Sequence, residues 1–520
     1  MMRLSIFLFL LVLTACQHSS AKSSKHILHL NLRIDPPSLD PRLVSTAPAL
    51  TLMRHLYEGL MRADHTGMLQ PALAQHVDIS EDGLTYTFYL REAYWKNDSQ
   101  ITSYDFARSW LQTLSATFPC SYAHMLYPIK NAKALRSGYV TAQELGIETP
   151  NSYTLIVHLE KPTPYFLELT AFPTLFPVHI QQTDTECFCS GPFQLINWEP
   201  TYKLILEKNN NYWDAEHVYL QGIELSVVSD NTTESYLYQR GELDWLGQPI
   251  SNNISTELIS LLRQKGLLKS YDVDGTCWLK INVEKPPFDS LLIRKAFALA
   301  LNRQLMISHL LQGNQKIATS PIPPSMTLQH TPFFQDGDVK TAQCLFEQAL
   351  KERNWTRDTL PSITLCYAPK ERMNKLVVLI QQQWQEAFHI PIHLQAIEEH
   401  IFRKETCLGH FQIGPGDWIA DYHDPLSFLE LFKDKNVEGL GMNDTMWHNE
   451  DYSCLLERSS NEPDPVQRRV LLEEAEKLLM DNMPIIPLYH YCFDYVKRDG
   501  VENVVLSPLG LADFKSVSLH

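Results

Sequence analysis

Mixed α/β domains are what this sequence predicts, and three observations carry that expectation. Segments with the two-residue alternation of strands take turns, along the whole chain, with segments whose apolar residues recur every three to four positions as in helices. The chain has 520 residues, 44% of them hydrophobic and 20% charged, which exceeds what one core supports and differs from a disordered composition, so two or three domains are expected. No repeat with a period of about 20 to 50 residues is visible, which sets solenoids and propellers aside.

Taken in order, residues 27 to 34 (ILHLNLRI) alternate as a strand that Asp35-Pro36-Pro37 breaks. From Ala47 to Met61 the spacing of Leu50, Met53, Leu56, Tyr57 and Leu60 predicts a helix, followed by a turn at Asp64 to Gly67. Residues 84 to 90 form an alternating strand behind the turn Asp82-Gly83. Thr102 to Leu114 reads as a helix with Ser103 as N-cap and Asp105 in the first turn. Strands are expected over 201–208, 221–228, 278–283 and 362–367, and helices over 232–240, 290–311, 338–351, 372–388 and 466–480. Asp424-Pro425 reads as an N-cap followed by Pro at the first helical position, which places Asp417 to Tyr422 in extended or loop structure before a helix.

Lys and Arg number 44 against 60 Asp and Glu, a net charge of −16, which argues against nucleic acid as a partner. Met1-Met2-Arg3, the apolar run from Leu4 to Leu13 and the small residues before Cys16 read as a signal peptide, too short in its apolar stretch to span a bilayer. Leu13-Thr14-Ala15-Cys16 resembles a bacterial lipobox, which implies cleavage after residue 15, a lipid on Cys16 and attachment to a membrane through that lipid. The tail from Gln17 to Lys25 reads as a spacer. The remaining cysteines, Cys120, Cys187, Cys189, Cys277, Cys344, Cys366, Cys407, Cys454 and Cys492, show no CxxC spacing and read as buried thiols. Neither HExxH nor a His/Cys ligand cluster is present, so no metal or cofactor is expected.

Six segments then carry a resemblance. They are Ser38-Leu39-Asp40-Pro41; Leu56-Tyr57-Glu58-Gly59-Leu60; DGLTYTFYLREAYWKNDSQITSYDF from Asp82 to Phe106; Gly191-Pro192-Phe193 with Asn211-Tyr212-Trp213; INVEKPPFDSLLIRKAFALALNR from Ile281 to Arg303; and GDWIADYHDP from Gly416 to Pro425. In this order they resemble the extracytoplasmic peptide/nickel-binding family, the solute-binding proteins of peptide ABC transporters, and the oligopeptide-binding subgroup in particular. The resemblance implies a three-domain clamshell of the periplasmic-binding-protein type. Domain I would comprise 16–57, 180–274 and 494–520, domain II would be an insertion over 58–179, and domain III would span 275–493. It also implies a role outside the cytoplasmic membrane, in the periplasm or at the cell surface, handing oligopeptides to an ABC permease.

A peptide ligand needs a partner for each buried N–H and C=O and for its charged ends, and the family meets this by adding the peptide as an extended strand. By resemblance, Asp421 binds the α-ammonium and Trp418 lines the pocket beside it, with Asp417 and Phe402 nearby. Tyr122 matches a pocket tyrosine, Trp278 an aromatic near the crossing into domain III, and Ser45 and Ala47 the segment that pairs with the peptide, Ser45 replacing a family glutamate. Basic positions that receive the ligand carboxylate become Thr406 and Pro415, and a lysine becomes His309, leaving Lys370, Arg372 or Arg403 as substitutes. A modified or cell-wall-derived peptide, a dipeptide, a nickel chelate or haem is the alternative ligand on the same fold. A secreted peptide hydrolase using Asp417, Asp421, Asp424 and His423 is the alternative of another class, but no nucleophile or metal motif supports it and Pro425 keeps the cluster off a single helical face.

Overall fold

The computed structural model describes residues 26–64, 66–183, 186–436 and 442–520; the signal peptide and Cys16 lie outside them. Three sheets organise the chain. The first has four strands in the order 27–31, 222–226, 203–208, 193–199, with 27–31 parallel to 222–226. The second is antiparallel, in the order 74–79, 85–90, 154–158, 147–151. The third has seven strands, in the order 245–247, 485–497, 269–281, 413–419, 363–367, 392–396, with 316–317 paired to 485–497 off that path.

Local chemistry explains where elements end. The first strand stops at Asn31 because the Asn31 carboxamide, not the backbone ladder, exchanges hydrogen bonds with the main chain of Val228, both at 2.9 Å. The first helix covers Ala47–Leu56, shorter than its apolar spacing suggests. The chain leaves the helix at Tyr57, where Gly191 packs so closely that a Cβ on it would lie 2.7 Å from the Tyr57 nitrogen. That contact explains the glycine of the Gly191-Pro192-Phe193 segment.

Two expectations need correction in detail. The helix Ser103–Thr113 is capped by Thr102, whose N–H donates to Asp105 Oδ2 at 2.8 Å, whereas the Ser103 hydroxyl donates to the Asn151 carbonyl. The apolar stretch 290–311 is not one helix. It runs over Leu291–Leu299, breaks, and resumes at Arg303. The break follows from Arg303, whose fully buried guanidinium takes the carbonyls of Ala298, Leu301 and Pro487 together with Asp336. A buried guanidinium must find acceptors, and the free carbonyls at a helix end supply them.

Strand Lys269–Ile281 is the largest difference, since only its last residues read as a strand. It pairs along its length with Ile485–Lys497, with an irregularity between Asp272 and Thr276. Gly275 lies in that irregularity, where a Cβ would meet the Tyr491 ring at 2.7 Å. One apolar core, containing Trp95, Trp110 and Trp245, underlies the first two sheets, and another, around Phe297, Phe346, Trp384 and Phe388, fills one face of the third.

Candidate binding cleft

A cleft of about 740 Å³ opens over the third sheet, closed in by the first helix and by loops outside the other two sheets. Ser45 and Ala47 reach it from the start of the first helix, and Tyr122 and Phe172 from the loops around the second sheet. The third sheet contributes Lys280, Tyr491 and the run from Pro415 that continues past its strand to Asp421, and the helix Glu399–Cys407 contributes Phe402.

The strand Ile413–Ile419 forms its floor. On one side it is antiparallel to 275–281, and on the other, among the described residues, its only pairing is Leu365 with Ile413. The Ala420 N–H donates to the Asp274 carbonyl at 2.7 Å, so the alternation of an antiparallel ladder turns the main-chain groups of Asp417 and Ile419 to the opposite side. That edge is open toward the cleft, as the addition of a strand requires.

Asp421 lies at one end of this edge. It is buried to 9% exposure, and its N–H donates to Ser427 Oγ at 3.0 Å. Ser427, in the short helix Leu426–Leu429, also accepts from the Trp418 indole at 3.5 Å, so one hydroxyl orients both residues. Across the cleft, Tyr122 packs edge-on to Phe172, and burial raises its hydroxyl well above the usual range. His124 Nε2 reaches Asp421 Oδ2 at 3.4 Å. Asp417 is open to cleft water yet surrounded by protein; that packing raises its carboxyl, while a hydrogen bond from Tyr491 opposes the rise.

At the other end, Lys280 Nζ donates to Asp444 and, at 3.0 Å, to Thr406 Oγ1, close to the faces of Phe402 and Phe411. Lys370 and Arg403 both pair with Glu399, at 2.9 and 3.3 Å.

Ser45, Ala47, Tyr122, Phe402, Asp417, Trp418 and Asp421 are thus brought to one cleft, with Thr406, Pro415, Lys370 and Arg403. Trp278 is not among them. It is buried beneath the floor, its indole against Gly416 and its ring 6.0 Å from Phe432. His309 is exposed on the segment Met306–Leu311 that follows the helix break, and it does not line the cleft; nor does Arg372. His124, Lys280, Ser427 and Asp444 were not singled out from the sequence. Among the described residues no group of three or more His, Cys, Asp or Glu side chains is placed to hold a metal, no helix is long and apolar enough to cross a membrane, and the nine cysteines are free, though not all buried as expected: Cys344 and Cys454 are exposed on helix surfaces.

A deep cleft with an open strand edge and a buried carboxylate at its end defines a protein built to hold a ligand. Residues 68–439 match the family of bacterial extracellular solute-binding proteins, family 5, middle, and the chain belongs to that family. It is 33% identical over 535 residues to the oligopeptide-binding protein OppA of Bacillus subtilis, covering 98% of this chain and 97% of that protein. The periplasmic murein peptide-binding protein MppA of Escherichia coli is 26% identical over 484 residues, with 90% of this chain and 88% of that protein covered. Among solved structures, Listeria monocytogenes OppA bound to peptide superimposes with a TM-score of 0.78 at 27% identity, over 96% of this chain and 99% of that one. Haemophilus influenzae OppA in complex with RPPGFSPFR shares the fold with a TM-score of 0.82 at 22% identity, over 95% and 99%. The periplasmic-binding-protein-like architecture expected from the sequence is the one present.

Proposed function

We propose that this chain is the oligopeptide-capturing subunit of an ABC transporter, tethered by a lipid on Cys16 outside the cytoplasmic membrane and delivering its ligand to the permease. The observation that carries the reading is the open edge of strand Ile413–Ile419, which runs to the buried carboxylate of Asp421. Main-chain bonds along that edge hold a peptide without reading its side chains, and Asp421 takes the terminal ammonium. The names of the relatives, all binding proteins, support a role in binding and not in catalysis.

Domain I is taken as 16–57, 180–274 and 494–520, domain II as 58–179 and domain III as 275–493. The crossings then fall in the long strand pair, one of them at the irregularity between Asp272 and Thr276. An interrupted ladder bends at lower cost than a regular one, so domain III closes on domain I there, and ligand selects the closed state. Mass spectrometry of small molecules released on denaturing the purified protein tests the reading. Recovery of peptides with free amino termini supports it. Absence of peptides, together with no calorimetric signal for peptides of two to six residues, sinks it.

A further inference from the structure

We propose that His124 is a specificity-determining residue: its imidazole is the partition that ends the peptide cleft just beyond Asp421, so that the ligand residue seated there must be the first and must carry a free ammonium. This rests on the chain being a peptide binder.

Behind Asp421 lies a second cavity of about 400 Å³, lined among others by His124, Tyr165, Tyr422, Glu430, Lys161 and Lys433. Two short segments border both spaces. Tyr122 lines the cleft while His124, two residues on, lines the outer cavity; Asp421 lines the cleft while Tyr422, the next residue, lines the outer cavity. The segments meet where His124 Nε2 approaches Asp421 Oδ2 at 3.4 Å. At that point the His124 imidazole, on the outer cavity, touches the Asp421 carboxylate, on the cleft. The His124 side chain is 37% exposed against 9% for Asp421, so the ring stands at the rim and is not part of the core. The frame around it is independently fixed, because Tyr165 stacks on Tyr422 at 3.9 Å and 7°, and Arg468 binds Asp424. Removing the imidazole therefore joins the two spaces while the frame around the opening stays in place.

Glu430, Lys161 and Lys433 place charged groups on the wall of the outer cavity, which is open to solvent. In the wild type, a blocked amino terminus runs into the imidazole edge and leaves the buried Asp421 carboxylate without its ammonium, a costly state. Without the imidazole, the blocking group passes into the outer cavity, and water from that side reaches Asp421. The wall thus converts an adaptable peptide groove into one that counts from the ligand's first residue.

Calorimetry with tetra-alanine, N-acetyl-tetra-alanine and N-acetylglycyl-tetra-alanine tests this on the full chain. Wild type should favour the free peptide over both blocked forms by at least about 30-fold. His124→Ala should narrow that preference to below about fivefold by gaining affinity for the blocked forms. His124→Gln, which refills the gap, should restore it. Unchanged discrimination in His124→Ala overturns the proposal, as does loss of free-peptide binding at unchanged Tm, which would make His124 a ligand contact and not a wall. If His124→Ala melts early, His124→Ser repeats the comparison, and the same two results overturn the proposal. Wild type binding none of the three peptides would instead remove the peptide reading, and this inference with it.

Discussion

Arg468 grips Asp424 through two parallel hydrogen bonds, Nη1 to Oδ2 at 2.8 Å and Nη2 to Oδ1 at 2.9 Å. The pair ties the helix Pro465–Asn482 to the loop that carries Asp421, and Asp424 Oδ1 also accepts the Leu426 N–H at 2.9 Å. Asp424 is therefore more than the helix cap its position before Pro425 suggests.

A lost cap costs about 1 kcal/mol, whereas stranding one member of a buried ion pair costs about 3 to 5 kcal/mol. Asp424 is 7% exposed and the Arg468 side chain 13%, so the larger figure applies. Asp424→Ala should lower stability by that amount, and Asp424→Ala with Arg468→Met should recover part of it. Urea unfolding decides: a loss near 1 kcal/mol in the single variant would mean that the ion pair adds nothing.

On the proposed function, Asp421→Ala leaves a ligand ammonium enclosed without its counter-charge. Truncating one side of such a pair costs about 2 to 5 kcal/mol, and each 1.4 kcal/mol is about tenfold. Peptide affinity should fall by about 30-fold to several thousand-fold, while Tm without ligand changes little. Equal calorimetric affinity of variant and wild type would displace the ammonium site from Asp421.

The ligand carboxylate should matter far less. Each cation lining the cleft already has a carboxylate: Lys280 has Asp444, and Lys370 and Arg403 share Glu399. C-terminal amidation should therefore change affinity by less than about threefold. The Lys370 pair is exposed and such pairs separate at little cost, so a tenfold loss on amidation that disappears in Lys370→Met would show that this lysine swings onto the ligand.

What could be read from the sequence divides along a physical line. Strand alternation, helix periodicity and the extended segment before Asp424-Pro425 are local signals, and the elements they mark are present within a few residues, except the helix over 290–311, which breaks after Leu299. The strand Lys269–Ile281 was legible only at its end, because its earlier residues carry no clean alternation and Gly275 is there to admit the Tyr491 ring. Trp278 and Lys280 lie on the same face of that strand, and pattern cannot tell which of them reaches the cleft. The indole is trapped under Gly416, while the longer lysine extends to Asp444. His124 carries no local signal at all; its role depends on meeting a residue 297 positions away.

Two buried histidines should make the fold acid-sensitive. His490 lies on the long strand opposite Thr276 and bonds its hydroxyl at 2.8 Å; burial, with Lys316 adding to it, pulls its pKa down to about 4. Burial does the same to His55, whose Nε2 accepts the Phe514 N–H at 2.9 Å, and its pKa also falls to about 4. Above about pH 6.5 both are neutral, folded or unfolded. Between about 6.5 and 4 the unfolded chain binds protons that the folded chain refuses, so stability falls as pH falls through this window. Each site contributes a loss of about 3 kcal/mol across it. His490→Gln, which cannot take up a proton yet keeps a polar group near Thr276, should flatten the decline by about that much. Urea midpoints measured from pH 7.5 to 4.5 check this: parallel curves for variant and wild type would show that His490 is protonated in the folded state.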